Sequence, residues 1–125
     1  MNLVDSSGWL EYLTDSPYAD KFAAPLQDVE SLLVPTVCLY EVFKVVLRER
    51  GEEEALQVAA LMQQGKVVDL NDTIALQAAK ISLEKKIPMA DSIIVATAEA
   101  FDAVIWTQDD DFAGLPRTRY FAKKP

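Results

Sequence analysis

The chain contains no histidine and only one cysteine, Cys38, within "VPTVCLYE". These two scarcities exclude much chemistry. No zinc site of the usual nitrogen and sulfur kind can be assembled, and neither a Ser-His nor a Cys-His nucleophilic pair is available. A lone cysteine forms no internal disulfide, so a reducing, cytoplasmic setting is expected. Positive charge is scarce as well. Lys and Arg number 12 against 20 Asp and Glu, a formal net charge of −8, and the sequence pI is about 4.4. Proteins that hold nucleic acid through phosphate attraction alone are usually basic. A nucleic-acid reading of this chain therefore needs a bound divalent cation or a basic partner protein. No uninterrupted apolar run approaches the roughly 18 residues of a membrane span, so no membrane association is expected. The first apolar run begins at position 2, and no signal peptide is expected ahead of it. No G-x-G-x-x-G follows any candidate strand, which speaks against a dinucleotide enzyme. Repeats, low-complexity tracts and dividing linkers are absent too.

What is present fits one compact domain over residues 1–125, with 50% hydrophobic residues. A chain of this size buries roughly two-thirds of its unfolded surface and needs no staples. Short apolar runs predict strands at "MNLV", "LLVP", "KVVDL" and "AVIWT", with "TRYFA" as an edge strand. Helical spacing predicts helices at "SSGWLEYL", "YADKFAAPLQDV", "VCLYEVFKVVLRERG", "EEEALQVAALMQQG", "NDTIALQAAKISLEKK" and "PMADSIIVATAEAF". Pro25 is expected to break the second of these. Thr36 is expected to cap the third, and Asn71 or Asp72 the fifth. Strands alternating with helices imply an α/β fold of three layers, α/β/α, around a mostly parallel sheet covered on both faces. The Lys123-Lys124-Pro125 tail reads only as an end.

Open parallel sheets bind ligands outside the carboxyl ends of their strands. The acids predicted at that edge are Asp5 after the first strand, Glu41 in the helix after "LLVP", Asp91 in the first turn before "AVIW", and Asp109 and Asp111 in "TQDDDF". Each has an ordinary explanation. Asp5 suits an N-cap, and Asp91 suits the positive end of its helix. Glu41 with Lys44 and Arg48 reads as a solvated stripe, and "DDD" as a solvated loop. Their coincidence at one edge points elsewhere. Clustered carboxylates repel, and Mg²⁺ or Mn²⁺, which prefers oxygen ligands, would relieve the conflict.

Four segments, "NLVDSSGWLEYL", "VPTVCLYEV", "MADSIIVATA" and "VIWTQDDDF", together resemble the PIN-domain ribonucleases, and more narrowly the VapC-type toxins of toxin–antitoxin pairs. The likeness covers nearly the whole chain in the right order. The family's pattern is matched by Asp5, Ser6 and Ser7, by Glu41, by Asp91, and by Thr107, Asp109, Asp111 and Phe112. Where the family commonly has a Gly before the last strand of the pattern, this chain has Phe101-Asp102. The resemblance implies a PIN-like fold of Rossmann or flavodoxin kind and a Mg²⁺- or Mn²⁺-dependent endoribonuclease leaving a 5′-phosphate and a 3′-hydroxyl. It implies Asp5, Asp91 and Asp109 as metal ligands, and Glu41 as ligand of a second metal or orienter of water. Ser6 and Thr107 would support carboxylates or phosphate. If the segment leaves the strand extended, Asp109 and Asp111 face one way and Asp110 the other, with Asp111 further along the chain, where it would steer Phe112 and the loop or a second metal. The resemblance also implies a cognate antitoxin with a basic inhibitory segment, and a homodimer, for which Trp9-Leu10-Leu13 and "VFKVVL" offer apolar faces. Setting the five acids aside leaves 15 acids against 12 bases. Affinity for RNA should thus be modest and metal-dependent, with Lys44, Arg48, Lys85, Lys86, Arg117 and Arg119 as candidate phosphate contacts. Two other readings stay open: a receiver-like phosphoacceptor domain using Asp69, and a non-catalytic PIN-fold interaction module.

Overall fold

The computed structural model describes residues 1–123; the tail residues Lys124 and Pro125 lie outside the described residues. Five strands form one sheet: β1 (Asn2–Val4), β2 (Leu32–Pro35), β3 (Lys66–Val68), β4 (Val104–Thr107) and β5 (Thr118–Tyr120). Their order is β3-β2-β1-β4-β5, and every pairing is parallel. The "TRYFA" edge strand is therefore parallel like the rest. Six α-helices connect them: α1 (Ser6–Leu13), α2 (Ala19–Gln27), α3 (Thr36–Arg50), α4 (Glu52–Met62), α5 (Asp72–Lys85) and α6 (Met89–Ala100).

Strand alternation places the helices. In β1 and β4, Leu3 pairs with Ile105 and Val4 with Trp106, so these pairs face opposite sides of the sheet. On the Val4 side lie α1 and α2. Phe121 packs against both Trp106 and Phe22 of α2. A Cβ on Gly8 of α1 would come within 2.6 Å of Val4 and 2.8 Å of Phe22, so only glycine lets α1 lie this close. On the Ile105 side, Ile81 of α5 and Val95 and Ala98 of α6 share one cavity wall with it. Helix α6 is buried from Ser92 to Ala98, as its nearly continuous apolar sequence requires.

Three local expectations need correction. Pro25 does not break α2, which continues to Gln27. Proline costs a helix one N–H bond, and here the ring is buried in the core near the helix end. Thr36 is not the cap of α3. The chain passes from β2 straight into the helix, Pro35 holds the extended cap position without a side-chain bond, and Thr36 is the first helical residue. Trp9 is 2% exposed and belongs to the core, so it offers no face to a partner. Asn71, not Asp72, caps α5, accepting from the Ile74 N–H at 2.9 Å. Asp102 takes a positive φ of 57°, the left-handed conformation that Gly adopts freely and Asp tolerates.

Candidate metal centre

Strand order sets where a site can form. From β1 the chain goes to β2 on one side and returns through β4 on the other, so β1 and β4 flank the topological switch point. The residues after these two strands are Asp5 and the run from Thr107 to Asp111.

Asp5 is the N-cap of α1 and is 3% exposed. One carboxylate oxygen accepts the Gly8 N–H at 2.9 Å and the Ser7 hydroxyl at 2.8 Å. The other accepts the Thr107 hydroxyl at 2.7 Å and Ser7 again at 3.0 Å. Burial pushes its pKa up to about 6, against the lowering effect of Thr107, Gly8 and Ser7, and the Asp109 charge adds a little. The capping role and the site role thus coincide in one side chain.

Thr107, fully buried, donates to Asp5 and accepts the Asp109 N–H at 2.9 Å. One hydroxyl thereby ties the end of β4 to the end of β1. Beyond it the chain does not stay extended. Asp110–Phe112 form a 3₁₀ turn capped by Asp109, whose side chain accepts the Asp111 N–H at 2.9 Å. This corrects the expectation that Asp111 sits further along an extended strand. The turn brings Asp109 and Asp111 together with Asp91 from the first turn of α6, and oxygens of the three lie within 4.8 Å of one another. Asp110 is exposed and outside this group.

Asp91 carries the electrostatic cost. Its pKa is pushed up to about 7, first by burial, then by the Asp109 charge, by a hydrogen bond with Asp111 that only a protonated acid can make, and by the charges of Asp111 and Glu41. Glu41, half-buried on α3, accepts the Ser6 hydroxyl at 2.7 Å. It stands outside the close triad but within electrostatic reach. Cys38, buried beneath, has its thiol held strongly toward the protonated form by burial, by the charge of Asp5, and by those of Glu41 and Asp91, with Ser6 opposing. It is part of the hydrophobic core. The close triad is thus Asp91, Asp109 and Asp111, not the expected set of Asp5, Glu41, Asp91 and Asp109: the fold of the turn brings Asp111 in, while Asp5 is held at the triad's side by Thr107 and Glu41 stands apart with Ser6.

Five of the six expected phosphate contacts have neighbours other than the acids. Arg48 pairs with Glu49, Lys44 lies over the Tyr40 ring, and Arg119 over Trp106. Lys85 and Arg117 line a different cavity, of about 310 Å³, with Asp102 and Ala103, and Arg117 pairs with Asp102. Among the described residues, no Lys or Arg forms an ion pair with any of the five acids. An all-oxygen donor set, with protons forced onto it and no basic side chain to neutralise it, fits a hard divalent cation. Two participants escaped sequence reading: Ser7, whose hydroxyl serves both Asp5 oxygens, and Gln108, buried between Thr107 and Asp109. Ser7 stood in the quoted pattern without a role; Gln108 carried no signal.

The chain belongs to the PIN domain family, whose model matches residues 3–117. Solved structures agree on the fold. A toxin–antitoxin complex from Klebsiella pneumoniae is 19% identical with a TM-score of 0.80, covering 95% of this chain and 96% of that one. VapC20 from Mycobacterium tuberculosis, a sarcin–ricin loop cleaving toxin, is 17% identical with a TM-score of 0.73, covering 95% and 99%. DNA-bound VapBC from Salmonella typhimurium is 16% identical with a TM-score of 0.71, covering 97% and 98%. A comparison with curated protein sequences gave no match. A receiver-like domain needs its acceptor Asp at the end of a central strand, whereas Asp69 follows β3, an edge strand.

Proposed function

We propose that this protein is a metal-dependent endoribonuclease acting as the toxin of a toxin–antitoxin pair. One observation carries the reading: Asp91, Asp109 and Asp111 converge within 4.8 Å, beside the buried Asp5, at the switch point of a PIN fold. Asp91, Asp109 and Asp111 would hold Mg²⁺ or Mn²⁺, with Asp5 behind them and Glu41 at the rim. A bound divalent cation supplies charge for a phosphate oxygen and lowers the pKa of a coordinated water. The chain's own groups do the rest. Ser7, Gly8 and Thr107 fix Asp5 in one orientation, the outer support on which carboxylate sites depend. Glu41, steadied by Ser6, is free on its second oxygen to take a proton from water. Thr107 and the Asp109 cap fix the 3₁₀ turn, so two acids arrive on one rigid element.

The toxin assignment rests on the fold shared with the Klebsiella and Mycobacterium proteins and on the acidic pocket, which suits an Arg or Lys of a basic antitoxin segment. A homodimer is supported by an apolar groove of about 690 Å³ lined by Leu70, Leu83 and Met89, all exposed, since exposed apolar patches mark contact surfaces. The reading places the protein in the cytoplasm; no helix among the described residues is long and apolar enough to cross a membrane. To test the toxin part, the chain and its Asp109→Asn variant are expressed at equal soluble levels. Growth should stop with the first and continue with the second. Unchanged growth with both would overturn it.

A further inference from the structure

On the α1 side lies a second cavity of about 290 Å³ lined by Glu11, Pro17, Tyr18, Gln108 and Lys123. It joins the metal centre through a single residue. The Gln108 backbone N–H donates to the Ser7 hydroxyl at 3.3 Å, which itself serves Asp5. The Gln108 side chain points the other way, donating from Nε2 to Glu11 Oε1 at 2.9 Å. Glu11 Oε2 accepts the Tyr18 N–H at 2.8 Å. A buried amide and a doubly held carboxylate thus line a cavity that is linked to Asp5 through the Gln108 backbone and Ser7.

Hydrogen-bond capacity defines what this lining can receive. A carboxylate offers about four acceptor sites, and these two bonds use one on each oxygen. Each Glu11 oxygen keeps one, and the Gln108 carbonyl adds its own. The lining is therefore rich in acceptors, and it is pre-oriented. Unpaired RNA bases are read through their Watson–Crick edges and by stacking on aromatic rings. Among the four, only guanine presents two adjacent donors on that edge, N1–H and N2–H₂, matching the two oxygens of one carboxylate. Tyr18, whose ring also meets Phe121 at 6.2 Å between centroids, lines the wall, and Lys123 adds positive charge to the lining. Building on the nuclease reading, we infer that the Glu11–Gln108 pair is a specificity-determining subsite that selects a guanine next to the cleaved bond.

The test needs no catalysis. Guanosine, adenosine, cytidine and uridine 5′-monophosphates are titrated into the isotope-labelled full chain. NMR follows the Gln108 side-chain amide and the Tyr18 backbone amide. Guanosine monophosphate should shift both signals saturably, and at least about fivefold more tightly than the other three, the low end of discrimination by a bidentate base contact. Glu11→Gln, which keeps size but replaces an acceptor with a donor, should abolish that preference while the remaining amide spectrum stays native. Equal affinity for all four nucleotides, shifts elsewhere only, or a preference that survives Glu11→Gln would overturn the subsite. A protein that binds guanosine monophosphate here but cleaves no RNA keeps the subsite and loses the nuclease. One that cleaves RNA without a guanine preference does the reverse.

Discussion

At the scale of single residues, the 3₁₀ turn sends three neighbouring aspartates to different places. Asp109 and Asp111 meet Asp91, while Asp110 faces solvent. Asp109→Asn and Asp111→Asn should each lower single-turnover RNA cleavage by more than about 100-fold, beyond the 10–100-fold cost of losing an outer support. Asp110→Asn should stay within about twofold, as exposed substitutions usually do. Thr107→Val removes the hydroxyl that binds both Asp5 and the Asp109 N–H; a loss of about 10–100-fold is expected. An effect of Thr107→Val no larger than that of Asp110→Asn would deny that the hydroxyl ties the two strands together. Protonation supplies another prediction. Asp5 and Asp91 have folded pKa values raised to about 6 and about 7 from 3.8. Raised acids bind more protons folded than unfolded, so their contribution to stability is fully present below pH 3.8 and is lost as pH rises through 6 and 7. With chelator, the contribution of these two acids should lower the melting temperature between pH 5 and pH 7.5, and Asp91→Asn should flatten that fall. Added Mg²⁺ or Mn²⁺ should raise melting most at the upper end, where the ligands are deprotonated. A slope identical in wild type and Asp91→Asn would contradict the assignment.

At the scale of elements, the site depends on how closely α1 lies on β1. A Gly8→Ala methyl would stand 2.6 Å from Val4 and 2.8 Å from Phe22, and overpacking of this kind typically costs about 1–3 kcal/mol. Since the Gly8 N–H is also a donor to Asp5, thermal denaturation should show lost stability, and cleavage by the folded fraction should fall as well. Undiminished activity per folded molecule would mean that α1 shifts without moving Asp5. The strands and helices were legible because apolar runs and helical periodicity report burial directly, and the five acids because strand ends point to one edge of a parallel sheet. The misreadings share a physical origin. A buried proline near the end of α2, a helix that begins on its strand without a polar cap, and a 3₁₀ turn at "DDF" are all decided by tertiary contacts. The turn matters most. An extended run would have put Asp111 well past Asp109, whereas the Asp109 cap folds it back. Gln108 was illegible because its role comes from contacts with Ser7 and Glu11, about a hundred residues away in sequence.

At the scale of the whole molecule, the proposed function would set an acidic protein, of net charge −8, against an acidic substrate, so attraction would have to be local. A cation held by Asp91, Asp109 and Asp111 would supply it at the carboxyl edge. The surface also leaves Leu83 and Met89, 83% and 75% exposed, around an apolar groove. If the proposed homodimer uses this groove, sedimentation should show wild type as a dimer and Leu83→Lys as a monomer; a monomeric wild type would contradict the dimer, and a dimer that persists in Leu83→Lys would place the contact on another face. Metal-dependent RNA cleavage is the central claim, and it is tested most directly by titrating Mn²⁺ against a fixed amount of single-stranded RNA. Wild type, Asp91→Asn and Asp110→Asn are compared, each with and without excess chelator. Wild type and Asp110→Asn should cleave in proportion to metal occupancy and stop on chelation, leaving 5′-phosphate ends, while Asp91→Asn stays silent across the range. Cleavage that persists in chelator, or in Asp91→Asn at the wild-type rate, would contradict it.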